Sequence, residues 1–125
     1  MSLLHPSTSD IWDRMIVLLL KIEHGTRAGK PTAHFQREHA ELAAALASKP
    51  FASAVSEEQV ADLKRLHAAI WDGIDVMTAR PMVTKANAMQ LASTAISLQV
   101  WNRERVRIKH EIDKATGEYE GEEKV

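Results

Sequence analysis

Two pairs of carboxylates in this 125-residue chain have a spacing suited to metal chemistry. Glu38 and Glu41 are three residues apart, with His34 four residues before Glu38, so a helix over this stretch puts all three on one face. Asp72 and Asp75 repeat the i,i+3 spacing further along. Facing each other across antiparallel helices, the four acids could hold Mg²⁺, which takes oxygen ligands and keeps several waters. The competing and favoured reading is that they are solvated charges on outer helix faces, where acids one turn apart are common.

The acidic pattern resembles that of the all-α nucleotide pyrophosphohydrolases of the MazG type. In that family Glu-x-x-Glu on one helix and Glu-x-x-Asp on another bind the metal that activates water on a nucleoside triphosphate. Glu38 and Glu41 match the first motif, whereas the second reads Asp72-Gly-Ile-Asp75, with the shorter acid at its first position. What the resemblance implies is a Mg²⁺-dependent nucleoside triphosphate pyrophosphohydrolase with Glu38, Glu41, Asp72 and Asp75 as metal ligands. This stands as the alternative functional reading.

Histidines supply a further set. His34 with Glu38 and His67 with Asp72 resemble two pieces of the hemerythrin di-iron pattern, but the intervening His-x-x-x-His is missing. No Glu is followed three residues later by His, so the di-iron signature of ferritin-like bundles is absent too. His39 and His67 fall within apolar stripes, where a structural imidazole with one hydrogen bond is the favoured reading. Serine-nucleophile elbows, glycine-rich phosphate loops and His-Glu-x-x-His do not occur.

These residues need helices to position them, and the sequence reads as helical throughout. Hydrophobic residues make up 45% and charged residues 26%, an ordinary globular balance, and no alternating β-branched run marks a strand. A first helix is expected over residues 9–24, capped by Ser9 and stopped by Gly25. A second follows over 32–47, with Phe35, His39, Leu42 and Leu46 as its stripe. Ser56-Glu-Glu-Gln59 is a capping box that opens a third, with Val55 and Val60 at the staple positions. Pro81 breaks or kinks that helix near Ala79. The expectation is an all-α antiparallel bundle of four helices, or of three with a kink at Pro81, ending in a long C-terminal helix over 82–115. Residues 1–116 would form one domain and 117–125 a flexible acidic tail.

A last helix of about 50 Å outruns helices half its length. Its first part, residues 82–100, is rich in Ala, Ser, Thr and Met, which suits a tightly packed interior position. Past Val100 it is strongly charged, with only a thin apolar line. Trp101, Val106, Ile108 and Ile112 are therefore expected to lack neighbours within the bundle and, with Arg105 on their basic flank, to meet a partner, a second copy, or the N-terminal segment Leu3–Leu4 folding back. The layout also resembles that of the flagellar type III export chaperones: a first helix with an aromatic near its start, the Ala28-Gly29 turn, a second helix, the Ser56-Glu-Glu start and a long final helix. That resemblance implies a small cytoplasmic protein that binds partner helices and dimerises. Pro81 and the Ala92-to-Ala95 run depart from the Leu- and Arg-rich last helix of that family.

Charge and composition narrow the partners. The formal net charge is −1, and removing the acidic tail leaves a body of only +2, too weak a field to attract nucleic acid by charge. There is no cysteine, so thiol catalysis and cysteine-bound zinc are excluded. The apolar run over 16–20 is bracketed by Arg14 and Lys21, far short of the roughly 20 residues of a membrane span. The leading expectation is a cytoplasmic, non-enzymatic helical interaction module, adaptor- or chaperone-like, which dimerises or binds a partner through its C-terminal helix and needs no cofactor.

Overall fold

A capping serine begins the first helix two residues earlier than its sequence suggests. In the computed structural model, which describes residues 6–79 and 82–119, Ser7 Oγ accepts from the amide of Asp10 at 3.2 Å and opens helix α1 (Thr8–Arg27). Ser9 is fully buried instead of capping. Gly25 does not stop the helix. A Cβ there would lie 2.8 Å from Thr32 Cγ2, so this glycine permits a close approach to the next segment, and Gly29, at φ 70°, makes the turn.

Helix α2 (Ala33–Ala47) then runs back along α1. Thr32 offers it no side-chain cap; the threonine hydroxyl accepts from Gln36 Nε2. No residue of α2 is buried, and among the described residues its main packing partner is α1. A single 3₁₀ turn (Ala52–Ala54) leads to α3 (Glu57–Thr78), whose capping box forms as expected: Ser56 Oγ accepts from the Gln59 amide, and Gln59 Oε1 accepts from the Ser56 amide, both at 3.0 Å. The helix stops at Ala79, where the sequence placed its break.

Residues 82–87 form a turn held by Asn87, whose Oδ1 accepts from the Thr84 amide at 2.8 Å. There are thus four separate helices among the described residues, and not three with one kinked. Helix α4 (Ala88–Thr116) has 29 residues, about 43 Å. It runs antiparallel to α3 and crosses α1 near its own C-terminal end. Gly117, at φ 77°, closes it with two bonds, from the Glu118 amide to Asp113 O and from the Gly117 amide to Lys114 O.

The all-α class and the long C-terminal helix are therefore as the sequence indicated, and no strand occurs among the described residues. The core lies where α1, α3 and α4 meet. Ile16, Leu63, Leu66, Ile108 and Ile112 fill it, with Val55 and Trp101 against its edge. No helix of the described residues is long and apolar enough to cross a membrane. The expected mobile tail is anchored at its start. Glu118 accepts from the Thr8 amide at 3.1 Å and pairs with Lys49 at 3.3 Å, and Tyr119 packs edge-on to His110. The rest of the tail and the segment Leu3–Leu4, a candidate cover for α4, lie outside the described residues.

Candidate interaction surface

The two halves of α4 have exchanged the environments expected of them. Ile108 and Ile112, expected to overhang, are 3% and 0% exposed and sit in the three-helix core. Val106 is half-buried, and Trp101 is half-buried against Gly73. Arg105 is turned inward: its Nη1 donates to Asp13 Oδ2 at 2.8 Å, and its Nε and Nη2 donate to Asn102. The premise that these residues lack intramolecular neighbours does not hold. The charges of this half allow it to be covered because α1 brings acids to meet them, so a thin apolar line suffices to seal the seam.

Those acids form an ion network across three helices. His67 Nε2 lies 2.6 Å from Asp13 Oδ1, Arg105 takes the other oxygen, and Lys109 reaches Asp10 at 2.8 Å and Asp13 at 3.8 Å. Burial alone would push the Asp13 carboxyl up. The hydrogen bond from His67 and the charges of His67, Arg105 and Lys109 outweigh it and hold Asp13 below the ordinary carboxylate range. Asp10 behaves likewise, with Lys109 and Ser7 opposing its burial. Asp113 goes the other way. Burial is its largest influence, the charges of Asp10 and Glu118 add to it, and its Oδ1 is buried without a hydrogen-bond partner among the described residues.

The four proposed metal ligands are not gathered into a site. Glu38 is taken up in a two-bond pairing with Arg14, at 2.7 and 3.0 Å, while Glu41, Asp72 and Asp75 are exposed on α2 and α3. Among the described residues no group of three or more His, Asp or Glu is placed to hold a metal ion. His67 is buried and bonded to Asp13, which gives it a structural partner.

The opposite half of α4 is the open one. Residues 88–102 carry no charge at all. One side, with Leu91 buried and Leu98 against Gly73, faces α3. The other presents Met89, Ser93, Ile96 and Val100 at spacings of four, three and four, with Met89 86%, Ile96 63% and Val100 48% exposed. Ile74 on α3 and Met82 and Val83 in the turn are also exposed. This run was expected to be interior, and its composition is that of an interior helix. It lies open because α1 crosses only the far end of α4 and α2 packs on α1. The signal that identifies it is the absence of charge over fifteen residues, thirteen of them ahead of the stretch selected from sequence. No family model, curated protein or solved structure matches the chain.

Proposed function

We propose that this chain is a non-enzymatic helical interaction module that works as a homodimer, with the outward line Met89, Ser93, Ile96 and Val100 of α4 as its interface. The observation that supports this reading is an exposed, uncharged helix face with the four-three-four spacing of a helix–helix seam. A second copy is the favoured occupant because the face offers no charge by which to select a different chain. Two such lines laid antiparallel are self-complementary about a twofold axis midway between Ser93 and Ile96, which pairs Met89 with Val100 and Ser93 with Ile96 of the second copy. Ala92 beside the line lets a facing helix approach closely. A cytoplasmic setting, and the chaperone-like layout noted in the sequence, belong to the same reading.

Sedimentation velocity over a concentration series, on wild type and Ile96→Glu, tests it. The expected result is a dimer that Ile96→Glu converts to monomer with its helix content intact. A monomeric wild type, or a dimer indifferent to Ile96→Glu, would overturn the proposal.

A further inference from the structure

A separate feature lies between the C-terminal end of α1 and the start of α2. A pocket of about 700 Å³ is lined by Lys21, His24, Lys30, His34, Phe35 and Trp71, together with the small or compact residues Gly25, Ala28 and Pro31. That volume is within the range of small-molecule sites, roughly 300–1,000 Å³. Four of the side chains are rings. His24 stacks on Trp71 with centroids 4.4 Å apart and planes 6° from parallel, and His34 lies against Phe35 at 3.9 Å. A helix end that places four flat groups around one open space offers ledges for another flat group.

The charge of the lining has one sign. Lys21 and Lys30 are ammonium groups, Lys21 Nζ sits 5.3 Å from the Phe35 ring centroid, and no carboxylate lines the pocket. Neither lysine takes part in an ion pair among the described residues, and Glu38, on which Lys21 acts at a distance, is bonded to Arg14. The turn beneath the pocket is fixed by the close approach of Gly25 to Thr32 and by the left-handed backbone of Gly29. The geometry points to a binding site for a small planar aromatic carboxylate, with its ring among Trp71, His24 and Phe35 and its carboxylate toward Lys21 and Lys30.

The site is independent of the proposed dimer face and is tested by calorimetric titration of the full chain with 2-naphthoate. Two companions divide the recognition: 2-acetylnaphthalene keeps the ring without the charge, and decanoate keeps the charge without the ring. The expected result is saturable one-to-one binding of 2-naphthoate, with both companions weaker by about tenfold or more. Trp71→Leu, and separately Lys21→Met combined with Lys30→Met, are expected to weaken 2-naphthoate by a similar factor, while Ile96→Glu leaves it unchanged. If Trp71→Leu loses its helix signal, the lysine double variant alone decides, since Lys30 is exposed and Lys21 is only half-buried. Absence of saturation, equal affinity for decanoate or for 2-acetylnaphthalene, wild-type affinity in the lysine double variant, or loss of binding in Ile96→Glu overturns the assignment.

Discussion

Asp13 Oδ1 lies 2.6 Å from His67 Nε2, across a gap of 54 residues in the chain, and so fixes α1 to α3. The second oxygen of the same carboxylate holds Arg105 of α4, so among the described residues Asp13 is bonded by its side chain to both other core helices. Asp13→Asn is expected to destabilise the fold by about 2 kcal/mol, because it leaves partly buried donors without their charged acceptor. Urea unfolding measures this. Glu38→Gln, which breaks a surface pairing with Arg14, serves as comparison and is expected to lose under about 1 kcal/mol. Equal losses for the two variants would remove Asp13 from its central place.

The same carboxylates set the response to acid. Asp10, Asp13 and Glu118 are held below their ordinary range in the folded state; for Glu118, burial pushes upward but bonds from Thr8, Thr116 and Lys49 prevail. A depressed folded value stabilises fully above the unfolded value, about 4 for a carboxylate. That contribution is lost as pH falls through the folded values. Urea midpoints measured downward from pH 7 are expected to hold until the unfolded acids begin to protonate and then to decline. Asp13→Asn should flatten that decline, and an unchanged profile would contradict the assignment.

Asp113 has the reverse sign. Its folded value is raised, chiefly by burial, so its penalty is absent in acid, grows as pH rises past the unfolded value and is complete above the folded one. Asp113→Asn is therefore expected to raise Tm at pH 7 and to have no stabilising effect at pH 3. Thermal scans at the two pH values check both signs.

Gly73 opposes two effects of known size. Alanine is better than glycine inside a helix by about 1 kcal/mol. Here, however, its Cβ would lie 2.7 Å from Leu98 Cδ2 and 3.3 Å from Trp101 Cζ3, and overpacking of that kind costs about 1–3 kcal/mol. Gly73→Ala is expected to lose about 1 kcal/mol net. In a Leu98→Ala background the same change should become stabilising, and failure of the sign to reverse would show that the contact is not limiting.

Helix α2 buries no residue and packs chiefly on α1, so it is expected to open below the global unfolding energy. Native-state hydrogen exchange should show its amides less protected than those of Leu63, Leu66 and Ile112. Uniform protection across all four helices would contradict this.

The helices were legible because their signals are local. Ser56 and Gln59 cap α3 in the sequence as they do in space, and Ala79 ends it. The use of Gly25 was not legible: a glycine that ends a helix and one that admits Thr32 look alike until the neighbouring chain is placed. The inversion of α4 has a similar cause. Ile108 and Ile112 sit among charges that mark a surface helix when read alone, and only the arrival of Asp10 and Asp13 on α1 lets Lys109 and Arg105 turn inward. The apparently interior composition around Ile96 describes what the face can pack against, not whether anything within the chain does so. The paired acids were readable as exposed helix charges, but the Arg14 partner of Glu38 depends on how α2 lies over α1. The ring-lined pocket draws on three helices and the turn between two of them, so no window of sequence contains it.

The bond from the Thr8 amide to the Glu118 carboxylate joins residues 110 positions apart at 3.1 Å. Topologically, the chain from Thr8 to Glu118 is almost a circle whose seam lies at that contact. A circular permutant that joins the chain at Thr8 to the chain at Glu118 through a short linker and opens the ring within residues 82–87 would keep every described helix whole and every core neighbour in place. The order in which the helices are made would change, while the set of surfaces they bury would not.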